Sequence, residues 1–447
     1  MKNMRNGTTL KQFAAAALAA CLCLALAHTS AAQVDDLKNG VGVFAVKPKK
    51  KRVVEPPHPP PVVATHETRL SPDDQLLQAV GKGDAAAVNS WLGRGASANA
   101  KSKEGGCPAL VYAVAGKSAQ VTQSLLAKGA DVNARCADGV TALMVAAEAG
   151  DAETTQALVE HGADVNAKTD DARTPLMFAA SNGSLAIVRA LLAKGADVSA
   201  HHKDGRTPLV FAAANGDAEI VGELIAKGAD VNARADDGWT PLLWACWMGK
   251  VDVVKLLLAK GADVKARDKD NDTALMKAVT QKGVLPGETQ KEPPDVRFQK
   301  DVAIVQMLLA AGADVNAVGN NGGTALIFSA SRDGDDSLVN TLIAKGADVN
   351  AHNNAGVTSV IIAATYGRIS TLDALLGHSA DANAHTSKGF TALIAAAGLG
   401  LSNTVRLLIE HGADVNAKYE DGRTALAFAR ENGQARVIEI LKGAGAQ

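Results

Sequence analysis

The six residues Gly129-Ala130-Asp131-Val132-Asn133-Ala134 recur letter for letter from Gly162, Gly228, Gly312, Gly346 and Gly412. Close variants start at Gly95 (GASANA), Gly195 (GADVSA), Gly261 (GADVKA) and Ser379 (SADANA). Successive starts lie 33 or 34 residues apart, with one interval of 51. So regular a period describes a stack of one small unit, not several independent domains, even in a chain of 447 residues. No unit is large enough to bury its own core, so each leans on its neighbours.

The residues around Gly228 show what one unit contains. Thr207-Pro208 opens a helix, because the hydroxyl caps and proline is tolerated in the first turn. Leu209, Phe211, Ala212 and Ala213 follow, the alanines permitting close helix contact. Gly216-Asp217 turns the chain, and a second helix carries Ile220, Val221, Leu224 and Ile225 on one apolar stripe. Gly228 ends it, since a left-handed terminal position costs glycine least. A turn-rich stretch then leads through Asp237-Gly238 to Thr240-Pro241.

Helix, turn, helix and hairpin in this order resemble the ankyrin repeat. The resemblance rests on Thr174-Pro175-Leu176, Thr207-Pro208-Leu209, Thr240-Pro241-Leu242 and the GADVNA copies, with weaker openings at Thr141, Thr273, Thr324, Thr391 and Thr424. It covers residues 70–447 and implies an all-α repeat solenoid of about eleven helix-turn-helix units with β-hairpin fingers, both caps included. The first cap starts at Ser71-Pro72-Asp73-Asp74; the last runs from Thr424 to Gly445. Two departures recur. The histidine that follows the leucine in the family is here Met144, Met177, Val210, Leu243, Met276, Ile327, Ile361, Ile394 or Ala427, and an apolar side chain is expected to fill the site. The hairpin aspartate is replaced at Cys136, Thr169, His202 and Ala235, where less rigid fingers are expected.

Residues 1–12 are polar and carry three positive charges; residues 13–27 are an apolar run of 15; small residues at Ser30 and Ala32 follow. This is the pattern of a secretory signal peptide over residues 1–32, cut before Gln33. The run is short for a membrane span, which needs about 20 residues. Two other readings stay open: an uncleaved anchor, and a lipoprotein lipidated at Cys21, since Leu18-Ala19-Ala20-Cys21 resembles a bacterial lipobox. Residues 33–69 read as a disordered basic, proline-rich linker with net charge +3, containing Lys47-Pro48-Lys49-Lys50-Lys51-Arg52 and the run Pro56 to Pro61. A stiff spacer, a tether to an anionic surface and a nuclear-import-like signal all fit it. Residues 70–447 carry 36 basic and 43 acidic side chains, a poor match for nucleic acid, which calls for a basic stripe.

The 51-residue interval holds an insertion of about 18 residues near 283–300. Pro286, Gly287, Pro293 and Pro294 argue for a loop, either a tolerated excursion or a contact arm. The motifs of serine hydrolases, zinc proteases and nucleotide-binding loops do not occur. Asp170-Asp171 and Asp236-Asp237 sit on hairpin tips without the apolar pocket that would split a carboxylate pair into acid and base. His352 and His385 lie one repeat apart, too far to share a zinc ion. Neither a metal nor a cofactor is expected. Cys246 occupies an alanine slot and is expected to be buried. Cys107 and Cys136 fall on neighbouring fingers, where a disulfide and two separate thiols are both open.

The resemblance implies recognition of proteins through hairpin tips and the exposed ends of the first helices, together a concave face. Trp239, Trp244 and Trp247, three of the four tryptophans, fall in one unit. By register Trp244 is core, Trp239 is a tip residue, and Trp247 and Met248 fill helix slots. Aromatic residues in such slots suit a binding hot spot, unless Trp239 and Trp247 pack on each other instead. Arg173, Asn182, Arg206, Asn215, Asp236 and Asp237 would form its polar rim, with Tyr366 and Phe390 further along. The expected protein is a monomeric, non-catalytic scaffold, periplasmic or secreted, that binds other proteins. The alternative is a secreted effector or toxin-associated protein acting in a host or rival cell.

Overall fold

The computed structural model describes residues 70–103, 105–280, 294–332 and 336–447, and the expected signal peptide and linker lie outside them. The described residues form 22 helices in antiparallel pairs, joined by hairpin fingers. The chain divides into two compact units, with the boundary between Asp236 and Asp237. In the N-terminal unit the pairs are α1 (Pro72–Gly81) and α2 (Ala85–Gly93), α3 (Ala109–Ala115) and α4 (Ala119–Ala127), α5 (Ala142–Ala149) and α6 (Ala152–Glu160), α7 (Pro175–Asn182) and α8 (Leu185–Ala193), α9 (Pro208–Asn215) and α10 (Ala218–Ala226). In the C-terminal unit they are α11 (Pro241–Trp247) and α12 (Val251–Ala259), α13 (Ala274–Val279) and α14 (Pro294–Ala310), α15 (Ala325–Ser329) and α16 (Ser337–Ala344), α17 (Ser359–Thr365) and α18 (Ile369–Gly377), α19 (Ala392–Leu399) and α20 (Ser402–Glu410), α21 (Ala425–Glu431) and α22 (Ala435–Gly443).

Each helix start follows from its local chemistry. The hydroxyl of Thr174 accepts from Met177 N and that of Thr240 from Leu243 N, while Pro175 and Pro241 occupy the first turn, where no donor is lost. Asp151 and Asp217 cap the second helices of their units. The paired alanines Ala146, Ala147, Ala179, Ala180, Ala212 and Ala213 are all fully buried, so the first helices of the N-terminal unit pack backbone to backbone. Ile187, Val188 and Leu191 of α8 and Ile220, Val221 and Leu224 of α10 form the stripe beneath them. Apolar residues do fill the family's histidine slot: Met144, Met177, Val210 and Leu243 are at most 1% exposed.

The structure also explains why the hexapeptide is repeated so faithfully. Within each compact unit its asparagine ties one repeat to the next. Asn133 Nδ2 donates to Gly162 O at 3.1 Å, and its Oδ1 accepts from Asp164 N at 2.7 Å. Asn166 makes the same pair of bonds to Gly195 O and Asp197 N, at 3.0 and 2.8 Å. In the C-terminal unit Asn316 and Asn383 do likewise. The aspartate pins the turn from within, as Asp164 Oδ1 accepts from Asn166 N at 2.9 Å. Where the sequence reads GADVSA, Ser199 is too short to cross and its hydroxyl turns back to Asp197 at 2.6 Å.

The insertion departs from expectation. Its residues 283–293 lie outside the described part, but residues 294–300 are helix, not loop, and lengthen α14 to 17 residues. Pro294 sits in the first turn of that helix, the one place where proline starts a helix instead of breaking it. As a result Asp301, which by register would cap the second helix as Asp217 does, stands inside α14. It is fully buried and pairs at 2.7 Å with Arg332, itself 7% exposed.

Candidate functional site

One rule organises the open face of each unit. The residue before the helix-opening threonine lies against the residue five positions later, on the first helix. Arg173 sits over Phe178, with 4.5 Å from guanidinium to ring centre, and Arg206 sits over Phe211 at 5.0 Å. In the C-terminal unit Trp239 meets Trp244 at 4.7 Å, Asp272 pairs with Lys277 at 2.9 Å, and Arg423 covers Phe428 at 4.3 Å. The finger thus folds its tip residue back over the helix.

This corrects the expected exposed aromatic centre. Trp239 is 5% and Trp247 7% exposed, and their rings meet edge to face at 5.7 Å. Trp244 completes the cluster at 5.7 Å from Trp247. Arg206, expected on the rim, is buried over Phe211. Register identifies the tip slot but does not show that its side chain turns inward. Asp237 is half-buried and its carboxylate accepts from Trp239 N at 2.9 Å. Met248 caps α11 and is half-buried. Tyr366 is 40% exposed, and Phe390 leans edge to face on Tyr419.

In the N-terminal unit Asn182, Asn215 and Asp236 are exposed. Asn182 and Asn215 also shape the helix ends. Gly183 has φ +77°, which favours glycine, and a Cβ there would lie 2.7 Å from Asn215 Nδ2 and push that side chain aside. On the fingers beside these residues runs a row of polar and charged side chains that the sequence alone does not assemble. His202 Nδ1 faces Asp204 Oδ1 at 2.5 Å, and His202 Nε2 faces Asp171 Oδ2 at 3.3 Å. Arg206 Nε donates to Asp204 Oδ2 at 2.6 Å, and the Thr169 hydroxyl donates to Asp171. Burial pushes the Asp204 carboxyl up, but the His202 hydrogen bond and the Arg206 charge outweigh it and hold the group at about 2. Burial likewise opposes ionisation of Asp171, and the bonds from Thr169 and His202 overcome it, leaving the group below the usual carboxylate range. Arg173 is pulled below the ordinary arginine value by burial.

At the head of this row is a cavity of about 230 Å³ between the fingers bearing Asp138 and Asp170. Val140, Met144, Val145 and Phe178 give it an apolar lining, and Glu148 from α5 and Arg173 from the next finger complete it. Burial pushes the Glu148 carboxyl above its usual range, with the Arg173 charge opposing. The signal for the row was present in the sequence as a column of positions, but reading it needed the five-residue pairing. Nearby, a disulfide joins Cys107 to Cys136 on adjacent fingers, which are also tied by Ala137 N donating to Gly105 O. The Cys246 thiol is buried.

No helix among the described residues is long and apolar enough to cross a membrane. Curated proteins offer no match to the chain. Family models do. A model of three successive ankyrin repeats matches residues 76–169, 166–235, 296–386 and 361–447, and the single ankyrin-repeat model matches 237–269. With most of the chain matched and the paired helices and fingers in place, the chain belongs to the ankyrin-repeat family, whose arrays serve as protein–protein interaction scaffolds.

Proposed function

We propose that the chain is an exported scaffold that holds a partner protein on the finger-and-helix face of its N-terminal unit. The observation that carries this reading is the row Arg173, Asp171, His202, Asp204 and Arg206. Each member is held by a neighbour, and several are half-buried or more. The fold does not need them, since the fingers closed by Asn353 and Thr386 reach the same backbone bonds without charge. Charges fixed before a partner arrives favour recognition, because little ordering remains to be done on binding. Asn182, Asn215 and Asp236 are the open contacts beside the row; Met248, Tyr366 and Phe390 are candidates of the other unit.

Export is supported by the charged start, apolar run and small-residue exit of residues 1–32, and by the Cys107–Cys136 bridge, which suits an oxidising compartment. The test is affinity capture from periplasmic and secreted extracts with the mature chain, beside Arg173→Met and Asp236→Lys. A partner held by wild type and lost from both variants, with melting unchanged, supports the reading. A partner held equally by all three overturns the assignment of the face.

A further inference from the structure

The tip-to-helix pairing fails to fill its space at one place in the N-terminal unit. The two repeats after it close the face with arginine over phenylalanine, as Arg173–Phe178 and Arg206–Phe211. In the repeat before them the same two positions are Val140 and Val145. Both valines are buried, but this shorter pair lines a cavity of about 230 Å³ that also takes in Glu148 and Arg173. That is below the roughly 300–1,000 Å³ of small-molecule sites, so it suits one long side chain. Its floor is apolar, while its walls bring Asp138, Glu148, Asp170 and Asp171 against a single cation, Arg173. Glu148 makes no hydrogen bond among the described residues, and the Arg173 charge only partly offsets the burial that disfavours its ionisation, so a second cation in the cavity would stabilise the carboxylate.

We propose that this socket receives an arginine side chain of the partner protein, the methylene stem lying on Val140, Met144 and Val145 and the guanidinium meeting Glu148. The incoming arginine takes the role that Arg173 and Arg206 play in the following repeats. Guanidinium is more weakly hydrated than ammonium and binds carboxylate through a planar fork, which favours arginine over lysine at a half-buried wall. The inference rests on the scaffold reading for its biological setting but not for its test.

The probe is the blocked tripeptide acetyl-Ala-Arg-Ala-amide, titrated into the mature chain while the methyl resonances of Val140, Met144 and Val145 are followed. Saturable shifts are expected with arginine, and about tenfold weaker binding with the neutral isostere citrulline in its place. Glu148→Gln should weaken the arginine peptide by about tenfold while the thermal midpoint stays level or rises. Val145→Phe should close the socket and remove the shifts. No saturable shift, equal binding of citrulline, or indifference to Glu148→Gln each overturns the proposal. A captured partner that survives Glu148→Gln and Val145→Phe but is lost with Arg173→Met sinks the socket and leaves the scaffold standing. Arginine-peptide binding without any captured partner does the reverse.

Discussion

Asp272 Oδ2 and Lys277 Nζ stand 2.9 Å apart in the slot pair that elsewhere holds arginine over phenylalanine or tryptophan against tryptophan. Lys277 is 1% exposed, and its ammonium also lies 2.7 Å from Asp268 Oδ2 and 4.8 Å from the centre of the Trp239 ring. Asp268, 1% exposed at its side chain, thus forms a second buried ion pair with the same ammonium. A lysine that replaces a core aromatic is tolerated only because two carboxylates and a ring face meet it. Lys277→Met keeps the stem and strands both carboxylates, and should cost about 3–5 kcal/mol in urea unfolding.

The same cluster sets an alkaline limit. Burial lowers the Lys277 pKa, but Asp272 and Asp268 outweigh it and raise the group above its ordinary 10.5. Its contribution is therefore complete below 10.5 and is lost as pH climbs through the raised value. The gap in melting temperature between wild type and Lys277→Met should hold at neutral pH and close only in strong alkali. A gap that closes near neutrality would contradict the pairing. Asp204 works in the opposite direction. Held at about 2, it contributes above the ordinary 3.8 and is lost as pH falls from there. The difference between wild type and Asp204→Asn should shrink across that acid window.

The fold was legible because its repeat is nearly exact: the capping threonines, first-turn prolines, left-handed glycines and GADVNA copies each mark a fixed backbone feature. The functional face was less legible. The register puts Trp239 and Arg206 in the tip slot, but only the fold shows that this slot turns inward onto the residue five positions later. Val140 and Val145 look unremarkable one at a time; their meaning lies in standing where Arg173 and Phe178 stand in the next repeat. The helix that starts at Pro294 was hidden because proline marks helix starts and helix breaks with the same letter.

The asparagine tie gives a stabilising prediction. Ser199 stands where Asn166, one repeat earlier, spans two repeats with two hydrogen bonds, and its own hydroxyl only reaches Asp197. Ser199→Asn should let the side chain reach Gly228 O and Asp230 N and raise stability by about 1 kcal/mol. Asn166→Ala should lower it by a similar amount. A Ser199→Asn protein no more stable than wild type would show that the junction is spaced differently.

Compartment and covalent structure can be read together. Intact mass of the exported protein should place the new N-terminus at Gln33; lipid on Cys21 would mean a membrane anchor, and Met1 retained in the cytoplasm would remove the export reading. Non-reducing peptide mapping of the same material should recover Cys107 joined to Cys136. A bridge across 29 residues constrains the unfolded chain, so Cys136→Ser should cost about 3–4 kcal/mol under oxidising conditions and almost nothing under reducing ones.

The three tryptophans provide the sharpest division between structure and recognition. Trp239, Trp244 and Trp247 touch one another at 4.7 to 5.7 Å and are at most 7% exposed. Each buries a large apolar surface, and removing any one leaves a cavity that its neighbours cannot fill. Trp239→Ala, Trp244→Ala and Trp247→Ala should each cost about 3–5 kcal/mol. They should also be non-additive in pairs, because all three share one packed cluster. Their effect on partner capture should follow the fraction folded at each temperature and vanish where the variants are fully folded. If Trp239→Ala or Trp247→Ala weakens capture while melting within about 0.5 kcal/mol of wild type, the indole reaches a partner directly, and the open face of the C-terminal unit is a contact surface in its own right.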